Sequence, residues 1–145
     1  MAWAREKSEA YFTRSKSAPA APSGMRAARI PLGEAGAQFD LVHYAAQFSR
    51  AQAILLDAQV DGYGGGGKAF DWSLLPHAVD AHLVLSGGLT PANAGDGIRA
   101  LRARCKTLSV DVSSGVEASK GIKDAGKIRE FVTAVRGAQG PAACA

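Results

Sequence analysis

The chain has 145 residues, 47% hydrophobic and 21% charged, with 17 glycines and 6 prolines. That composition excludes a collagen-like or wholly disordered chain, and no apolar run of ~18 residues is present to cross a bilayer. Of the net charge of +4, half sits on residues 1–24, and the remainder holds 13 basic and 11 acidic groups. A body so nearly balanced makes nucleic acid and membrane unexpected partners.

The first residues lack a charged n-region followed by an apolar h-region, so no signal peptide is expected. Cys105 and Cys144 form neither a metal motif nor a disulfide framework. A reduced, cytoplasmic protein is the plain reading.

In chain order, residues 1–24 read as a disordered or irregular tail. A short helix is possible over 2–14, followed by a small-residue, Pro-containing linker over 15–24. The folded domain is expected over 25–137, with a frayed tail over 138–145. Its first unit has a strand at 26–30 and a helix placing Leu41, Ala45 and Phe48 on one face. The second opens with the continuous apolar run 53–57, of the kind covered on both faces. A glycine loop follows, and then Asp71, a natural N-cap ahead of Trp72. Phe70 and Trp72 are expected to anchor that loop. The third unit has Leu83-Val84-Leu85, then Ser86-Gly87-Gly88, then Thr90 as cap and Pro91 at the first helical position. Ala94, Ile98 and Leu101 share the face of the helix that follows. Arg99, Arg102, Arg104 and Lys106 fall where this helix should end and complement its dipole. Cys105, among them, reads as a packing residue on the helix. The fourth unit has a strand at 108–112, the turn Ser113-Ser114-Gly115, and a helix capped by Asp124 that buries Ile128, Phe131, Val132 and Val135.

Successive βα units predict a parallel sheet with right-handed crossovers. Leu56, Leu85 and Val110 lie 29 and 25 residues apart, close to one βα unit. An open doubly wound sheet and a (β/α)8 barrel both satisfy this spacing. A barrel typically takes ~250 residues, so this chain amounts to roughly half of one.

Polar groups gather at the C-terminal ends of the predicted strands: Asp57, Ser86-Gly87-Gly88, and Asp111 with Ser113-Ser114-Gly115. Parallel α/β folds bind ligands at that end. Glycines there let backbone N–H groups approach an anion, and two such loops in adjacent units favour phosphate over tight turns alone. Asp57 ends an apolar run, where a partly desolvated carboxylic acid suits general acid catalysis; from position alone a cap or turn role is also open. Asp111 is similar. The 62–68 loop fits the Gly-x4-Gly-Lys spacing of a nucleotide-binding loop, but Ala69 stands where a Mg²⁺-binding Ser or Thr is required. His43, His77 and His82 have no ligand spacing, and no metal site is expected.

Four stretches carry a resemblance: Gly64-Gly65-Gly66-Gly67-Lys68-Ala69-Phe70-Asp71-Trp72-Ser73, Leu85-Ser86-Gly87-Gly88-Leu89-Thr90-Pro91, Val110-Asp111-Val112-Ser113-Ser114-Gly115-Val116-Glu117 and Gly121-Ile122-Lys123-Asp124. Over roughly residues 25–136 they resemble the phosphoribosylanthranilate isomerase family of tryptophan biosynthesis. The resemblance implies a partial (β/α)8 TIM barrel of about four βα units. It also implies an Amadori rearrangement of a phosphorylated sugar–anthranilate substrate, with no metal or organic cofactor. In its terms Asp57 is similar to the general acid. Gly87, Gly88, Ser114 and Gly115 are similar to the phosphate-binding backbone, and Asp111 and Ser113 to substrate contacts. The family's base is the cysteine of a Lys-Ile-Cys-Gly strand, which does not occur here, and neither Cys105 nor Cys144 fits its place. A non-catalytic phosphate-binding half-barrel is the alternative. A half-barrel leaves strand edges unpaired, so self-association or docking of a complementary half is expected.

Overall fold

The computed structural model of the chain describes residues 24–31, 33–59, 69 and 71–138. The expected 2–14 helix, the linker before Gly24, the 62–68 loop, Phe70 and Cys144 lie outside the described residues. The elements are β1 (Met25–Pro31), α1 (Leu41–Gln47), β2 (Ala53–Gln59), β3 (Val79–Leu85), α2 (Ala94–Leu101), β4 (Cys105–Val110), β5 (Glu117–Ser119), β6 (Ile122–Lys123) and α3 (Ala125–Ala138), with 3₁₀ turns at Gly33–Gln38, Trp72–Leu74 and Ser114–Val116.

Strands β1 to β4 form one parallel sheet in their order along the chain. A doubly wound sheet reverses its strand order at a switch point; this one does not, and its helices cover one face. Burial alternates along β1 and β2: Ala28, Ile30, Ile54, Leu56 and Ala58 are buried, whereas Arg29, Leu55 and Asp57 are not. The buried set packs with Leu83 and Leu85 against Leu41 and Ala45 of α1, Ala94 and Leu101 of α2, and Phe131 of α3. This is the wall of a barrel, with the helices outside. Leu55 of the 53–57 run points away from these helices, yet it is half-buried, and its register partner Val84 is buried on that same face.

Local chemistry explains the element ends. Asp40 caps α1 by accepting from the His43 N–H at 2.8 Å. Asp71 accepts from Ser73 N–H at 2.9 Å and Ser73 Oγ at 2.6 Å, capping a short 3₁₀ turn. Asp124 accepts from Lys127 N–H at 2.9 Å, as expected of the α3 cap. Trp72 packs on α2 at Gly97, where a β-carbon would lie 3.3 Å from its ring.

Other expectations are corrected. Strands β3 and β4 begin earlier than their apolar cores, at Val79 and Cys105, and β4 ends at Val110. Cys105 therefore opens a strand and is not helical. The α2 cap position belongs to Asn93, not Thr90, and the helix starts at Ala94. Helix α3 buries Phe131 but leaves Ile128 41% and Val132 40% exposed. It runs through Ala138. The β5–β6 hairpin is an element that no sequence signal announces. The basic residues in the last turn of α2 and after it have separate structural partners: Arg99 pairs with Asp96, Arg102 donates to Ala138 C=O, Arg104 to Leu75 C=O, and Lys106 faces Asp80 at 3.6 Å.

Candidate active site

Strand register brings the predicted residues to one level. Leu56 aligns with Leu85, and Leu85 with Val110. The next residue of each strand, Asp57, Ser86 and Asp111, therefore lies in one row, on the face opposite the helices. Backbone bonds extend the ladder to this row, Ser86 N–H to Leu56 C=O and Asp111 N–H to Leu85 C=O, both at 2.8 Å. Arg29 aligns with Asp57 across β1 and β2. The row is tied sideways: Ser86 Oγ donates to Asp111 Oδ2 at 3.0 Å, and Arg29 Nε lies 3.9 Å from Asp57 Oδ2. Asp57 keeps 27% of its side chain exposed.

The two glycine loops meet beside this row. Gly87 and Gly88 take φ of 72° and 66°, which glycine adopts without a Cβ clash. A β-carbon on Gly87 would lie 2.5 Å from Asp57 Oδ1 and from Ala58 N. One on Gly115 would lie 1.8 Å from Leu89 C=O, so the second loop packs directly on the backbone of the first. Asn93 staples the first loop, accepting from Thr90 N–H at 2.8 Å and donating to Gly88 C=O at 2.9 Å. An open cleft of about 550 Å³ lies alongside, lined by Thr90, Pro91, Ala92, Gly115, Lys127 and Glu130.

The 113–115 turn is held from behind by the hairpin. Lys123 Nζ donates to Ser113 C=O at 2.8 Å, to Ser113 Oγ at 3.3 Å and to Glu117 Oε1 at 2.8 Å. The Lys123 hydrogen bond holds the Glu117 carboxyl below its ordinary range, helped by Gly121 N–H. Lys127 N–H does the same for Asp124.

Other titratable groups lie elsewhere. Cys105, its thiol pushed up by burial, is six residues before Asp111 on β4, about 20 Å along the strand at the opposite end of the sheet. His43 meets Gln47 at 3.0 Å and His82 meets Thr107 at 2.6 Å. Among the described residues no group of three His, Cys, Asp or Glu is placed to hold a metal ion. Reading the sequence missed Arg29, Asn93 and Lys123. Arg29 carried a signal, a lone charge between the apolar Ala28 and Ile30, and Lys123 stood in one of the stretches that carry the family resemblance.

Residues 28–134 match the family model of N-(5'-phosphoribosyl)anthranilate isomerase. The chain belongs to this family. A relative named N-(5'-phosphoribosyl)anthranilate isomerase from Methylibium petroleiphilum is 58% identical over 112 residues, covering 77% of this chain and 48% of that protein. One of the same name from Leptothrix cholodnii is 56% identical over 114 residues, covering 79% and 48%. The crystal structure of phosphoribosyl anthranilate isomerase from Thermotoga maritima superposes with a TM-score of 0.58 at 35% identity, over 78% of this chain and 51% of that one. This member of the isomerase family thus spans about half the length of the relatives it matches. Its parallel sheet is part of the family's (β/α)8 TIM barrel. No helix among the described residues is long and apolar enough to cross a membrane.

Proposed function

We propose that this chain carries the acid and phosphate-holding half of a phosphoribosylanthranilate isomerase of tryptophan biosynthesis, acting in the cytoplasm. The amides of Gly87, Gly88, Ser114 and Gly115 hold the phosphate, with Ser113 beside them. Asp111, fixed by Ser86, contacts the sugar. Asp57 in its acid form gives a proton to the furanose ring oxygen. The bond from C1′ to that oxygen then breaks as the anthranilate nitrogen lone pair forms a C1′=N bond. A base removes the C2′ proton, the electrons pass through C1′ to nitrogen, and the resulting enol collapses to the ketose. Every atom of the substrate is kept, as an isomerisation requires.

The observation that carries this reading is the contact of Asp57 with Gly87, at the place where the two glycine loops meet. Cys105, at the far end of β4, cannot serve as the base. A complementary half supplies it, docking on the open edges of β1 and β4; without that half the chain pairs those edges with a second copy.

The test mixes the purified chain with the separately produced N-terminal half of the Methylibium petroleiphilum relative and follows isomerase turnover. Turnover by the mixture, reduced roughly 10²–10⁴-fold by Asp57→Asn, supports the assignment. Full turnover by the Asp57→Asn mixture overturns it.

A further inference from the structure

Ser113 opens the 3₁₀ turn at Ser114–Val116, yet its hydroxyl makes no capping bond there. The hydroxyl and the carbonyl both face Lys123 Nζ. The ammonium is itself fixed, because Glu117 accepts from it through Oε1 while Oε2 accepts from Gly121 N–H at 3.1 Å. Gly121, at φ 81°, makes the tight β5–β6 turn that brings this amide round. Two further bonds clamp the hairpin to α3 and to the turn: Lys127 Nζ to Glu117 C=O at 2.7 Å and Asp124 N–H to Val116 C=O at 2.8 Å.

We propose that Lys123 is a positioning residue for the phosphate-holding turn, a role that rests on the phosphate reading above. The Ser113 carbonyl and the Ser114 N–H belong to one planar trans peptide, so they point in opposite directions. A lysine that grips the carbonyl from the hairpin side turns the Ser114 N–H away from the hairpin. The Leu89 backbone, to which a β-carbon on Gly115 would approach within 1.8 Å, stops the turn from rotating the other way. Lys123 and Leu89 thus hold the turn between them. Lys123 acts through the peptide plane and does not itself contact the ligand.

The test measures binding of inorganic phosphate and ribose 5-phosphate to the full chain, using the amide resonances of Ser114 and Gly115 with a thermal melt alongside. Lys123→Met should weaken phosphate binding by about tenfold, the worth of one charge-assisted hydrogen bond, and shift the Ser114 amide even without ligand. Lys123→Arg should recover part of the affinity. Lys106→Met removes the same charge from the start of β4 and should change nothing. If Lys123→Met fails to fold, Glu117→Gln, which frees one anchor of the ammonium, is read in its place and should weaken binding in the same sense. Unchanged phosphate affinity in the Lys123 and Glu117 variants, or an equal loss in Lys106→Met, overturns the positioning role alone. No phosphate binding by the unmodified chain overturns the phosphate reading and this inference together.

Discussion

Gly87 sits so close to Asp57 that a single added methyl would lie 2.5 Å from the Oδ1 atom of that carboxylate. The loop after β3 and the acid on β2 are therefore one unit, and neither can move alone. Gly87→Ala adds left-handed strain to this clash, and we expect a loss of roughly 1–3 kcal/mol in thermal or urea unfolding. The amide resonance of Ala58, whose nitrogen is also crowded, should shift with it. A variant as stable as the parent, with that resonance unmoved, would contradict the packing described.

Asp57→Asn keeps the shape but removes the acid. Phosphate affinity should stay within about twofold of the parent, since Asp57 touches the loop through volume and not through a hydrogen bond. Calorimetric titration with phosphate measures this. A large loss of affinity would mean that the carboxylate takes part in holding the anion.

Gly97 lies on the inner side of α2, where a β-carbon would come within 2.6 Å of Leu85 Cδ2 and 3.3 Å of the Trp72 ring. Alanine is the better helix former by about 1 kcal/mol. Overpacking costs roughly 1–3 kcal/mol and acts against that gain. Gly97→Ala should therefore lower the melting temperature and perturb Trp72 fluorescence, despite the favourable propensity.

Acid should loosen the hairpin late. Glu117 titrates below its ordinary value of 4.5, chiefly because of the Lys123 hydrogen bond. Its stabilising contribution is complete above the unfolded value and is lost as pH falls through the lower folded one. Asp71 and Asp124 follow the same sign, through Ser73 and through Lys127. Stability measured from pH 6 downwards should fall most steeply below about 4.5, and Glu117→Gln should flatten that fall. A profile that Glu117→Gln leaves unchanged would remove the ion pair from the account.

The edge strand β1 carries the exposed apolar Met25, and α3 exposes Ile128 and Val132. Light scattering should give a mass that rises with concentration, and Met25→Glu on the β1 edge should return it toward the monomer. A concentration-independent monomer for the parent chain would count against edge pairing.

The four strands could be read from the sequence because each has an apolar centre, from Ile30 to Val110. Their starts could not: Asp80, His82, Lys106 and Thr107 are polar residues on β3 and β4, and no apolar run marks them. The alternation of burial along β2 was also hidden, since Ile54, Leu55 and Leu56 look alike until helices settle on one side. The row of Asp57, Ser86 and Asp111 could be anticipated as strand ends. Its alignment could not, because register is set between strands and not within them. The contact of Lys123 was out of reach for the same reason: its partner Ser113 lies ten residues back, across a hairpin too short to show periodicity.

The Asn93 side chain already bonds both Gly88 C=O and Thr90 N–H. The ordering entropy of that loop is thus spent when the chain folds, not when an anion arrives. If the rim takes phosphate as proposed, capture needs no rearrangement of the backbone, and its speed should follow encounter frequency and ionic strength, as for a rigid template.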